Sequence, residues 1–134
     1  MLVFYLDASA IAKLYLPDEI GSEFVAQLLD SRLSTDLFVT SALSVVEVKA
    51  AITRRIDSPY ERDSMLSAYD RDLQEIFDLI SVRNDLIVGA GYLVERHRLR
   101  AGDAIHLATA LSVAAATTQQ VFMVSSDVEL LEAS

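Results

Sequence analysis

Hydrophobic side chains fall into short unbroken blocks, separated by stretches in which they recur every three or four residues. Val3, Phe4, Tyr5 and Leu6 form the first block. Four large side chains without polar alternation are how a strand reads when both faces are covered, as in a parallel sheet. Leu37 to Thr40 (LFVT) is a second block, Asp78 to Val82 a weaker third, and Val121 to Val124 (VFMV) the last. Helical patterns lie between them. Ala8 to Leu16 is a short helix stopped by Pro17, which cannot continue it. Asp18 then predicts an N-cap, with Glu19 in the acidic first turn, for a helix running to about Ser31 whose apolar stripe is Ile20, Phe24, Leu28 and Leu29. Ser41 or Ser44 caps a helix reaching about Arg55. Ser58-Pro59 opens the next by the rule of a proline in the first turn, with Met65, Leu66, Tyr69, Leu73 and Ile76 facing inward. A helix over about Asn84 to Leu99 follows. Gly102 breaks the chain, and Asp103 opens a helix to about Ala116. A short final helix is expected after Ser126, which stands at capping-box spacing from Glu129.

Strands alternating with helices, with no repeat or linker among them, imply a parallel sheet with right-handed crossovers and helices on both faces. The expected fold is α/β, a three-layer α/β/α sandwich around a short parallel sheet, forming one domain over residues 1–134. The composition agrees: 134 residues suit one domain, and 52% hydrophobic residues supply an ample core. Four Gly and two Pro leave room for few loops. Cysteine is absent, which excludes disulfides, thiolate chemistry and Cys-ligated zinc and is compatible with a reducing cytosol. The apolar start MLVFYL lacks a basic segment and is interrupted by Asp7. The apolar stretch from Ala104 to Val124 carries His106, Thr109, Thr117, Thr118 and Gln119-Gln120, which suits a buried helix, a loop and a strand better than a membrane span. A soluble, cytoplasmic protein with no membrane partner is expected.

Net charge changes the picture of possible partners. At −9 it argues against general nucleic-acid binding and favours a cation or a basic partner. The distribution softens this, because Arg54-Arg55 and Arg96, Arg98 and Arg100 form local basic clusters. Between Asp57 and Asp78 seven acids accompany only Arg62 and Arg71. They read as the solvated face of a helix, with an acidic surface for a basic partner as the alternative.

Four carboxylates stand apart. Asp7 follows the first strand, and Asp127 follows the last after Ser125-Ser126. Asp103 starts a helix after Gly102. Glu47 lies inside a helix, where its neighbours at three and four residues, Leu43, Ser44, Ala50 and Ala51, offer no salt bridge; it either reaches solvent or finds a cation elsewhere. Each acid also has an ordinary reading. Asp103 and Asp127 can be helix caps, and Asp7 can accept bonds from the helix that follows it. Ser9 either caps that helix or donates to a metal-bound carboxylate or water. In open α/β sheets ligands bind outside the carboxyl ends of the strands. If the acids converge there, like charges about 4 Å apart repel by ~4 kcal/mol at an effective dielectric of about 20. A proton or a divalent cation must then occupy the site. All-oxygen ligation selects Mg²⁺ or Mn²⁺, which activate water and stabilise phosphoryl transition states. Other chemistries find little support. There is no glycine-rich phosphate loop and no His-pair zinc motif. No serine has an evident His base, and a phospho-accepting receiver domain would want paired acids near the first strand and a Lys after the last. His106, one turn beyond Asp103, can hydrogen-bond it or pack in the core; His97 lies on the other side.

The combination YLDASAIAKLY, SVVEV, RAGDAIHLATAL and VFMVSSD, in this order and across essentially the whole chain, resembles the PIN-domain ribonucleases, nearest to the toxin component of VapBC-type toxin–antitoxin pairs. The resemblance implies that Asp7, Glu47, Asp103 and Asp127 are the family's catalytic acidic quartet. Asp7 and Asp103 would be principal Mg²⁺ or Mn²⁺ ligands, with Glu47 and Asp127 completing the metal site directly or through water. Ser9 matches the family's small hydroxyl residue after the first Asp, and Ala8 stands where Thr or another small residue is frequent. The implied activity is metal-dependent endoribonuclease cleavage of RNA phosphodiesters, with Arg96, Arg98 or Arg100 steering phosphate. The implied partners are an RNA substrate, a cognate antitoxin protein laid over the acidic groove, and a second copy of the chain in a homodimer. The competing expectation is a non-catalytic module whose acidic groove binds a basic peptide or protein.

Overall fold

The computed structural model describes residues 1–126. Their order is β1 (Val3–Leu6), α1 (Ala8–Ala12), α2 (Ser22–Asp30), β2 (Leu37–Ser41), α3 (Leu43–Arg55), α4 (Pro59–Glu75), β3 (Phe77–Ile80), α5 (Asn84–His97), α6 (Ala101–Ala116) and β4 (Val121–Val124). All strand pairs are parallel, in the order β3-β2-β1-β4. The expected α/β/α sandwich is the observed architecture. Asp127 and the helix expected after Ser126 lie outside the described residues.

The unbroken apolar block of β1 is explained by its two faces. Phe4 and Leu6 point into a core shared with Ile11, Val25, Leu29, Phe38, Val48, Ile52 and Tyr69 of α1 to α4. Val3 and Tyr5 point the other way, into a core with Val39 and Ala110, beside the α5–α6 cluster of Ala90, Leu99, Ala104 and Leu107. Phe4 also stacks between its register partners Phe38 and Phe122, with ring centroids 5.2 and 5.6 Å away. Such pairs add roughly 0.5–1.5 kcal/mol each beyond buried area.

Three local expectations are corrected. Asp18 does not cap α2: the helix begins after Gly21, whose φ of 92° is left-handed. The Ser22 hydroxyl donates to the Pro17 carbonyl (2.8 Å), tightening the turn there. The buried stripe of α2 is therefore Val25 and Leu29 with Leu28 beside them, while Ile20 and Phe24 are exposed. Asp103 does not cap α6 either, because the helix starts at Ala101 with Arg100 as its cap residue, and Asp103 sits in the first turn. A carboxylate there still favours the helix through the N-terminal dipole. Helix α5 stops before Leu99: Arg98 adopts a left-handed φ of 55°, which turns Leu99 into the core. Further boundaries shift: α3 has Ala42 rather than Ser41 or Ser44 as its cap residue, the third strand is Phe77–Ile80, and α1 ends at Ala12. Ser58 caps α4, its Oγ accepting from Glu61 N–H (3.5 Å) with Pro59 in the first turn.

Candidate functional site

Chain order moves from β1 to β2 to β3 on one side and then crosses back, placing β4 on the far side of β1. The reversal lies between β1 and β4, and crevices at such reversals are where α/β sheets take ligands. Asp7 leaves β1 at this point, and Ser125 leaves β4 beside it, because Leu6 is in register with Val124 and Asp7 N–H donates to the Val124 carbonyl (3.2 Å).

Asp7 is 1% exposed. Its Oδ1 accepts from Ala10 N–H (3.0 Å) and the Ser9 hydroxyl (2.7 Å), and its Oδ2 accepts from the Ser125 hydroxyl (2.5 Å). Asp7 thereby caps α1, the ordinary role considered for it. Ser9 does not cap that helix itself. It donates to Asp7 and accepts from Ser126 N–H (3.2 Å), so it ties the two strand ends together. A buried carboxylate is stabilised by such donors to its charged form.

Glu47 finds a partner far along the chain. Its Oε1 lies 2.7 Å from His106 Nε2 on α6, and His106 Nδ1 lies 2.8 Å from the Tyr5 hydroxyl on β1. His106 and Tyr5 are essentially inaccessible, while Glu47 is about one-third exposed. Burial pushes the Tyr5 phenol far above its ordinary pKa, with the Ser41 backbone and the Thr109 hydroxyl acting in the opposite sense. The Glu47 carboxylate can only accept, so the Nε2 proton faces it, and with Nε2 protonated the Tyr5 hydroxyl donates to Nδ1. Glu47 Oε2 is directed at the first turn of α6: a Cβ built on Gly102 would sit 3.1 Å from it. Asp103 follows in the same turn, half-buried.

A groove of about 420 Å³ opens between α1 and α3, with Ser9, Glu47 and Ser126 at one end and Lys13, Arg54 and Arg55 along it. Glu19 lies 3.9 Å from Lys13 and pairs with Arg55. Arg96, Arg98 and Arg100 are exposed around the α5–α6 turn and do not line this groove. Lys13 and Arg54 were missed as groove residues, although their spacing was readable. Val46, Glu47, Ala50, Ala51, Arg54 and Arg55 recur at helical period on one face of α3. The links from Ser125 to Asp7 and from His106 to Glu47 had no local signal.

Carboxylate and hydroxyl oxygens dominate this edge, a donor set that suits a hard divalent cation. Among the described residues no three of Asp, Glu, His or Cys are grouped closely enough to enclose an ion. The fourth expected acid, Asp127, is not among those residues.

The PIN domain family profile matches residues 4–132, and the chain belongs to the PIN-domain family. It is 34% identical to Ribonuclease VapC45 and to Ribonuclease VapC49, both of Mycobacterium tuberculosis, over 116 residues, covering 84% of this chain and 78% of each relative. Its fold is similar to that of the Sarcin-Ricin loop cleaving toxin VapC20 of Mycobacterium tuberculosis (TM-score 0.76, 19% identity, 97% of this chain and 94% of that one). It also resembles a chain of FitAcB from Neisseria gonorrhoeae (TM-score 0.74, 17% identity, 97% and 91%) and one of VapBC-1 from nontypeable Haemophilus influenzae (TM-score 0.68, 12% identity, 98% and 92%).

Proposed function

We infer that this chain is an endoribonuclease that hydrolyses RNA phosphodiester bonds with Mg²⁺ or Mn²⁺, and that it is the toxin of a toxin–antitoxin pair. The observation that carries the reading is the buried Asp7 carboxylate at the β1–β4 reversal, beside a groove that Glu47 enters from α3. Kinship with the VapC ribonucleases supplies RNA as the substrate and an antitoxin as the protein partner. The homodimer remains part of the proposal on the same ground.

In this reading Asp7, Glu47, Asp103 and Asp127 are the acids that hold the cation. When bound, a divalent cation lowers the pKa of water and neutralises charge developing on phosphoryl oxygens. The chain's own residues do the rest. The Ala10 amide and the Ser9 hydroxyl hold the Asp7 carboxylate in place. Oδ2 accepts from the Ser125 hydroxyl and keeps a second lone pair with which it would bind the cation. Lys13 and Arg54 line the groove and bind phosphates of the strand, which localises positive charge on a chain whose net charge is −9. Arg96, Arg98 and Arg100, outside the groove, steer the strand at longer range. The cations in the groove weigh against the competing reading of a purely acidic cleft for a basic peptide.

The test is RNA cleavage by the wild type and by Asp7→Asn with Mg²⁺ or Mn²⁺. The expected loss in Asp7→Asn is about 10³-fold, equivalent to ~4 kcal/mol of transition-state stabilisation, and chelation by EDTA abolishes activity. Equal cleavage by the variant, or full cleavage in EDTA, overturns the reading.

A further inference from the structure

Tyr5, His106 and Glu47 form a hydrogen-bonded chain in which the fully buried His106 has both ring nitrogens engaged. Replacing both partners of a buried hydrogen bond by apolar groups is often nearly neutral, so stability alone gives weak reason to keep such a chain. Each element contributes one member: β1 supplies Tyr5, α6 supplies His106, and α3 supplies Glu47. Their common output is the rotamer of Glu47. One oxygen is held at 2.7 Å by Nε2, and the other lies against Gly102, where an added Cβ would stand 3.1 Å away, a tight contact that would push Oε2 by a few tenths of an ångström.

We propose that Tyr5 and His106 are positioning residues that, with Gly102 as the clearance, clamp Glu47 so that Oε2 is presented beside Asp103 at the first turn of α6. The Tyr5 hydroxyl holds the ring through Nδ1, the Nε2 proton holds Oε1, and the free torsions of a glutamate otherwise open to solvent are removed before any ligand arrives. Outer partners that orient a ligand in this way change metal affinity by about 10–100-fold when removed. The proposal rests on the reading of this edge as a divalent-cation centre, and its test separates the two.

Mn²⁺ alone is titrated into the full chain and binding is read from the paramagnetic resonance of the free ion. His106→Leu is expected to weaken binding by about 10–100-fold, and His106→Gln, which keeps an amide donor at similar reach, to recover most of the loss. Gly102→Ala covers the case in which His106→Leu fails to fold. Alanine is favoured over glycine in a helix, so the melting temperature should hold or rise while Mn²⁺ affinity falls, because the new Cβ displaces Oε2. In a Glu47→Gln background, His106→Leu should add no further loss, whereas a merely structural histidine would add its full effect. Imidazole nitrogen NMR of the metal-free chain supplies a readout without the ion: a single tautomer protonated at Nε2, as its contact with the Glu47 carboxylate requires. A chain that shows this tautomer but binds no Mn²⁺ overturns the metal reading and leaves the clamp standing. Wild-type affinity in both Gly102→Ala and His106→Leu, or a mixed tautomer in the wild type, overturns the clamp.

Discussion

Asp7 and Glu47 arrive at the same end of the sheet by opposite means. Asp7 is held mostly from within three residues, by the amide of Ala10 and the hydroxyl of Ser9, and among the described residues Ser125 is the side chain that reaches it from afar. Glu47 receives nothing from its own helix and is held by a residue 59 positions away, itself held by one a further 101 positions back. The Asp7 corner is thus built by the strand-to-helix turn, and would form wherever that turn forms. The Glu47 corner exists only after α3 and α6 have both docked on the sheet. The second corner should therefore respond to perturbations of packing that leave the first one intact.

The largest separation is expected at alkaline pH. Burial raises the phenols of Tyr5, Tyr15 and Tyr69, and in Tyr15 the neighbouring Asp72 carboxylate adds to the shift. A raised folded-state pKa means that stability is fully present below the unfolded value of about 10 and is lost as pH climbs through and above it. One unit above that value each phenol forfeits about 1.4 kcal/mol, or ~4 kcal/mol for the three. Phenolate absorbance should then rise together with loss of helical circular dichroism; ionisation of all three in a fully folded chain would contradict their burial. Next, Ile52→Ala removes a fully buried side chain of α3 that packs in the core between this helix and α1. It should cost about 3 kcal/mol in urea unfolding. In the folded fraction it should loosen the His106–Glu47 contact while the Ser9 contact to Asp7 persists, read by side-chain NMR; equal loosening of both corners would erase the distinction. The smallest effect is expected from Ser125→Ala, which removes the long-range donor to Asp7 Oδ2. A hydrogen bond to a charged group is worth roughly 2 kcal/mol. Urea unfolding should show that loss, and Mn²⁺ affinity should hold, because Oδ2 has a lone pair for the ion with or without this donor; a loss of affinity would make Ser125 a helper of the site.

Much of the scaffold was legible because its signals are local. The block Val3 to Leu6 carries no polar alternation since Phe4 and Leu6 meet one helical layer and Tyr5 the other. Ser58-Pro59 starts a helix through bonds that span three residues. The failures have an equally physical cause. Asp18 has the right side chain for a cap, but the Ser22 bond to Pro17 and the left-handed Gly21 place the turn first, and the helix begins later with another face buried. Ile20 and Phe24 then stand exposed although they are apolar. Asp103 has the residue type of a cap, yet the helix already starts at Ala101, so Gly102 and Asp103 both lie inside its first turn.

Within the site, the same boundary recurs. The position of Asp7 at a strand end, its cap role and the hydroxyl two residues on follow from hydrogen bonds and periodicities that reach no further than a helical turn. Those were present in VFYLDAS before any fold was considered. Which strand would lie beside β1, and so which serine would meet Asp7, depends on the crossover that sends β4 back past β2 and β3. Whether Glu47 would face solvent or a partner depends on how α3 and α6 dock on the sheet, where His106 and Tyr5 meet across 101 residues of chain. Short-range bonds are encoded by neighbouring residues, whereas contacts closed by packing two layers onto a sheet have no trace in the spacing of the residues that make them.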